Sequence, residues 1–410
     1  MPLPPAAIDT PTMRCAGREL LSLALMDARN HTLQLLGVWE QAVIDGIAPP
    51  EGEAAQARWI AGHVGWLAEW WLLRLPELAP GETGAALRER RTAGLPGADA
   101  VFDIRHMAAA PRSPGLLPDA SATRGWLLAT LDRTLELLSD AEEGDEDLEL
   151  HRAALFHEDA RSEQLLVLAQ QAGLRLPVAA PEPAGLRDAL WMPALRWRMG
   201  YDGPGFAFPL ERPAHEVAVP EFEIDAQPVT WSQYVEFVAD GGYDRPELWR
   251  PAGWAWLQQE GRRAPRHVEE IGVRSGAVLQ SWFGVPLRRA GGQAVMHVSW
   301  WEADAWARWA GRRLPTEAEW EVAAHLAAQR GFRWGEVHEW TLDLLRPWDG
   351  YVAPAWADGT LFDPTPGWGR ARVRRAASLA TRARMKHPKA RAFAMPEHDQ
   401  DFVGFRTCAL

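Results

Sequence analysis

The stretch LFHEDARSEQLL, beginning at Leu155, sets His157, Arg161 and Glu163 within two turns of one expected helix. A metal-binding helix often carries a second His four residues after the first, one turn away on the same face. Here that position is Arg161. A guanidinium stays charged and has no lone pair to donate. A cation one turn from His157 would also repel a metal ion. Glu158, Asp159 and Glu163 could each supply the carboxylate of a two-His-one-carboxylate set, though each is more often a solvated helix residue. His151 lies six residues before His157 and so on a different face, a poor third ligand. The second imidazole would be His63, in WIAGHVGWLAEWW on another predicted helix. Bundle cores build metal sites from facing helices, and two imidazoles with open positions suit ferrous iron that activates oxygen. Spacing alone weighs toward two core histidines, each with a hydrogen-bond partner.

These side chains must be positioned by long amphipathic helices. RELLSLALMDARNHTLQLLGVWEQAV and EAAQARWIAGHVGWLAEWWLLRL repeat apolar residues at three-and-four spacing, with Pro76 ending the second. A loop rich in Gly, Pro and Ala follows, from about Pro80 to Pro118. Ser121 is placed to cap TRGWLLATLDRTLELLSDA. A fourth helix is expected from about Glu146 to Ala172, with Gly173 as its C′ residue. Four helices with one long connection predict a four-helix bundle over residues 1–178.

LRLPVAAPEPAG reads as a linker. Over 190–410 short extended pieces such as HEVAVPEFEID alternate with turns and short helices, an α+β texture. Thr316 and Glu319 predict a capping box. In RMKHPKARAF, the cations Arg384, Lys386, His387, Lys389 and Arg391 could hold an acidic substrate, though such runs are more often solvated. Arg406, between apolar residues, predicts a structural ion pair.

At 410 residues the chain is too long for one ordinary core. Hydrophobic residues make up 47% and charged ones 24%, a globular balance. A formal net charge of −12 argues against general nucleic-acid binding. No apolar run is long enough to span a membrane, and MPLPPAAIDTPTMR lacks the features of a secretory signal. Two cysteines, Cys15 and Cys408, suit a reducing cytoplasm and exclude a disulfide scaffold. Trp occurs 23 times against 4 Tyr. Most of these serve as core bulk, but some could line a pocket for a quaternary ammonium ligand.

Read together, GHVGWLAEWWLLR, FHEDARSE, GFAFPLERPAHEVAVPEFEIDAQPVTW, GGYDRPELW, VSWWEADAWARWAGRRLPTEAEWE, HEWT and FVGFR resemble the ergothioneine-pathway sulfoxide synthases. RELLSLALMDARNHTL and MKHPKARAFAMPEHDQDFVGFRTCAL bring the chain closest to the selenoneine synthases. The resemblance covers nearly the whole chain. It implies a DinB-like bundle followed by a C-type-lectin-like domain of the formylglycine-generating-enzyme (sulfatase-modifying factor) type. It also implies an Fe(2+) cofactor on three His, O2, and carbon–chalcogen bond formation on the imidazole of hercynine, the trimethylated betaine of histidine. The donor would be a selenosugar, or a thiol in the ergothioneine branch.

Carried over by residue, His63 and His157 match iron ligands and Glu163 the Glu of the His-x3-His-x-Glu motif. Arg161 stands where the third ligand should be, beside the substrate. Ala160 stands where some members place a substrate-contacting Gln. VRRAASLAT replaces an Arg-Gly-Gly-Ser stretch, and FPLE replaces Phe-Asp-Asn-Glu. Arg391 and Phe393, in RAFA, occupy a stretch that touches substrate. Tyr351 lies near, but unaligned with, the proton-donating Tyr of some relatives. Three outcomes stay open: two His with a carboxylate or water on iron, weak iron binding with another substrate, or a catalytically silent ligand-binding relative. A true formylglycine-generating enzyme is disfavoured, since its chemistry needs cysteines that the second half lacks.

Overall fold

The computed structural model describes residues 5–74, 94–103, 116–272 and 275–410. The helical half comprises α1 (Arg18–Ile44), α2 (Glu53–Glu69, running into a π turn at Trp70–Arg74), α3 (Ala98–Phe102), α4 (Ala120–Asp140) and α5 (Asp145–Gln171). In α1 the buried positions Leu21, Leu25, Ala28, Thr32, Leu35 and Trp39 follow the three-and-four spacing. α2 is buried on nearly every face from Ala57 to Trp71, because α1, α3, α4 and α5 all pack against it. The cap of α4 is Asp119 rather than Ser121: its carboxylate accepts from the Ala122 amide at 2.7 Å. Asp in that place satisfies an orphan N–H as Ser would, two residues earlier. The expected stop at Pro76 and most of the Pro80–Pro118 loop lie outside the described residues, while α3 is a helical turn inside that loop.

α5 is the chain's most polar long helix and also one of its most buried. Both hold because its buried carboxylates are matched from other elements, Glu158 by Arg29, Asp159 by Arg384 and Glu163 by His338. It ends as its sequence predicts. Gly173 takes φ +64, and the Leu174 amide reaches back to the Ala169 carbonyl at 2.8 Å.

Residues 190–410 form small sheets and short helices. β1 (Leu190–Met192) pairs with β4 (Phe222–Ile224), and β2 (Leu195–Met199) with β3 (His215–Val219), both antiparallel. β5 (Val268–Gly272), β6 (Ala277–Trp282) and β7 (Val285–Arg289) make a meander. The central sheet has the order β10 (Ala392–Ala394), β9 (Arg372–Ala376), β8 (His338–Leu344), β11 (Val403–Phe405), with β8 and β11 parallel. The helix Glu317–Leu326 opens with its capping box: Thr316 Oγ1 accepts from the Glu319 amide, and Glu319 accepts from the Thr316 amide at 2.7 Å. Trp231, Trp300, Trp320 and Trp340 are fully buried, as bulk for this half. Among the described residues no helix is long and apolar enough to cross a membrane.

The two halves share one core. Phe206, Trp282, Phe283, Trp356 and Phe402 cluster with the apolar residues of the bundle. The end of α5 is fixed to the second half through both groups of one amide. Gln170 Nε2 donates to the Ser281 carbonyl at 2.9 Å, and its Oε1 accepts from the Phe283 amide at 2.6 Å. Gly284 then packs so close to Gly173 that a methyl group there would overlap the Gly173 carbonyl.

Candidate functional site

His63 on α2 and His157 on α5 do meet in the bundle interior, with ring centroids 5.3 Å apart and both side chains buried. Helix periodicity brings them inward, and a wall of rings closes over them. Trp59 and Trp66 flank His63 at 4.8 and 5.7 Å, while Trp71 and Phe362 flank His157 at 5.5 and 6.1 Å. Burial, and then the Arg161 guanidinium, hold the His157 imidazole well below the usual histidine range, so it is neutral at pH 7.

Arg161 fills the centre. Its Nε donates to His157 Nε2 at 3.1 Å, one terminal nitrogen lies 3.3 Å from His63 Nδ1, and the other donates to Gln164 Oε1 at 2.7 Å. The guanidinium also lies over the Trp59 ring at 5.4 Å. The lone pair by which His157 would hold a metal therefore already accepts an N–H.

The carboxylates of α5 do not complete a metal set; each is bound elsewhere. Glu158 takes Arg29 of α1 at 2.8 Å. Asp159 takes Arg384 of the second half at 2.7 and 2.8 Å. Glu163, expected as a ligand, turns instead to His338 Nε2 at 3.0 Å and to the hydroxyls of Ser378 and Thr381 at 2.6 and 2.8 Å. Burial alone would raise the Glu163 carboxyl, but His338 and these donors outweigh it and hold it below its ordinary value. Among the described residues no three His, Cys, Asp or Glu side chains are grouped to hold a metal. The described residues do not fit a ferrous centre.

Outward from Arg161, Ala160, Glu163, Gln164 and Val167 of α5 form one wall of a cavity of about 410 Å³. The opposite wall comes from β9, β10 and the loops around them. Three rings line it, Phe208, Phe362 and Phe393, with Arg374, Arg391, His398 and Asp401. No Trp is among the described lining residues, so the ring-lined pocket expected from the Trp count is built of Phe. Asp401 is held well below the carboxylate range: burial opposes ionisation, but Arg374 at 2.5 Å and His398 at 3.1 Å outweigh it.

Phe393 and Arg391 thus face the cavity, although the Arg391 guanidinium is spent on Glu317 at 2.6 and 3.0 Å. The same holds along the basic run. Arg384 is fully buried on Asp159 and Asp27, Lys386 donates to the Gly335 carbonyl and Lys389 to Glu321, so the run is internal wiring rather than an open anion site. Arg406 pairs with Glu339 at 2.8 Å in the core. Tyr351 packs its ring edge-on against Trp368 at 5.5 Å, beside the small core of Leu345 and Val373. Sequence reasoning did not anticipate His338, Ser378, Thr381, Gln164, Arg374 or Asp401. The signal for Gln164 was present, one turn beyond Arg161.

Residues 178–336 match the sulfatase-modifying factor enzyme 1-like domain family. A hercynine oxygenase of Mycolicibacterium smegmatis is 29% identical, covering 95% of this chain and 98% of its own. One from Mycobacterium tuberculosis is 28% identical over the same shares. A formylglycine-generating enzyme of Streptomyces coelicolor is 34% identical over 39% of this chain and 54% of its own. Among solved structures, PvdO from Pseudomonas aeruginosa is 19% identical with a TM-score of 0.34, covering 56% of this chain and 99% of that one.

Proposed function

We propose that this chain, which belongs with the hercynine oxygenases of the ergothioneine pathway and carries their sulfatase-modifying-factor-like half, binds hercynine in the seam cavity. The observation that carries the reading is the lining of that cavity. Phe208, Phe362 and Phe393 offer ring faces to a trimethylammonium group. Both signs of charge stand in the same lining, Asp401 paired with Arg374 and Glu163 paired with His338. A zwitterionic betaine is thereby met by both signs within one partly closed space.

Homology to hercynine oxygenases supports the ergothioneine-type reading, with a thiol as second substrate, over the selenoneine reading with a selenosugar. In either, the task of the chain's own residues is to bind the betaine, orient its imidazole toward α5 and exclude water. No oxidative step is drawn through iron, which the described residues do not fit. We read the helical half as a DinB-like bundle on the strength of the same kinship, with the boundary near residues 178–190.

Calorimetry on the full chain tests the proposal. Hercynine is expected to bind at least about tenfold more tightly than histidine, which lacks the methyl groups. Phe393→Ala is expected to weaken hercynine by roughly three- to tenfold and leave histidine nearly unchanged. Equal affinity for the two, or no heat with hercynine, overturns it. Oxygen uptake with ferrous iron, hercynine and either donor decides between a turning-over and a silent relative.

A further inference from the structure

We propose that Arg161 is a built-in occupant of the ancestral metal position: its guanidinium takes the place of the ion, and the chain is a metal-independent member of its family. Three observations converge on this. The donors that would point at a metal point at Arg161, with His157 Nε2 and His63 Nδ1 at 3.1 and 3.3 Å from two different guanidinium nitrogens. A buried cation must have compensating acceptors. The two imidazoles and the Gln164 carbonyl oxygen at 2.7 Å face it, from the cation's own helix and the one opposite. Finally, the arrangement has little freedom to rearrange. Arg161 is only 6% exposed and is covered by Trp59. α5 is locked about it by Glu158 on Arg29, Asp159 on Arg384 and Glu163 on His338.

The consequence is competition on unequal terms. A free divalent ion would have to displace a cation tethered one turn from His157, at an effective concentration that no dissolved ion matches. It would also leave a displaced guanidinium close by, repelling it. Glu158, Asp159 and Glu163 cannot swing in to help without giving up Arg29, Arg384 and His338. The inference stands on the geometry around Arg161 and is read separately from hercynine binding, so either can fail alone.

Metal loading tests it. The full chain is stripped with chelator, exposed without oxygen to ferrous iron or to Co(II), desalted, and its metal content measured. The wild type is expected to retain less than about a tenth of an equivalent, and Arg161→His, which restores a third imidazole one turn from His157, about one equivalent. That gain is expected to vanish in Arg161→His combined with His63→Ala, and Co(II) in the single variant should show the visible bands of a nitrogen-ligated site. Near one equivalent in the wild type, removed by His63→Ala or His157→Ala, overturns the inference. So does a folded Arg161→His that holds no more metal than the wild type. Should that variant not fold, Arg161→Ala serves: it opens the position between two imidazoles, and Co(II) retention no higher than wild type again overturns the inference.

Discussion

The ion pair that joins the halves gives a sharp energetic prediction. Arg384 is fully buried and grips Asp159, itself 1% exposed, through two bonds, with Asp27 of α1 as a second carboxylate at 2.9 Å. Arg384→Met strands Asp159 as a buried anion. Removing one partner of such a pair costs about 3–5 kcal/mol, and the half-exposed Asp27 loses little by being freed to water. Asp159→Leu leaves Arg384 its bond to Asp27, so about 2–3 kcal/mol is expected. The double variant places two apolar side chains of similar volume in contact and should cost only about 1–2 kcal/mol, because neither charge is left behind. The coupling is therefore about 3–7 kcal/mol, centred near 5. Urea unfolding at pH 7, followed by tryptophan fluorescence and by far-ultraviolet circular dichroism, measures it wherever the two signals coincide. If the double variant loses the sum of the singles to within about 0.5 kcal/mol, the pair is not the unit described.

Two further outcomes follow from the geometry. Gly284→Ala should cost at least about 2 kcal/mol in the same urea assay, because the backbone is at φ +74 and the new methyl would overlap the Gly173 carbonyl. The His267 imidazole is pushed down to about 4 by burial and by Arg266. The unfolded chain takes up that proton near pH 6.5 and the folded chain only near 4, so stability should fall by roughly 3 kcal/mol as pH drops across that window. His267→Asn, which keeps a residue tolerant of φ +66, should flatten the slope in melts at pH 7, 5.5 and 4.5.

The helices were legible because their apolar spacing is dictated by local geometry, as in α1, and because Gly173, Thr316 and Glu319 end or begin elements by chemistry confined to one turn. The convergence of His63 and His157 was legible as a consequence of two inward-facing helices. The fate of Glu163 was not. Its partners His338, Ser378 and Thr381 lie at least 175 residues away and arrive only when the second half docks. Arg161 was visible as an obstacle to a metal, but its role as the centre of the cluster needed His63 Nδ1 and Gln164 in place around it. The basic run from Arg384 to Arg391 misled for a related reason. Local sequence shows the cations, whereas Asp159, Asp27, Glu321 and Glu317, which neutralise them, come from three distant stretches.

Gln170 makes α5 an indexed rod. With Nε2 and Oε1 both engaged to the backbone around Ser281 and Phe283, the helix can neither slide along its axis nor roll about it without breaking both bonds at once. Each residue added or removed upstream would turn everything before it by about 100°. The five residues between Gln164 and Gln170 therefore act as a ruler. Their number, more than their identity, decides that Arg161 and His157 together face His63 of α2.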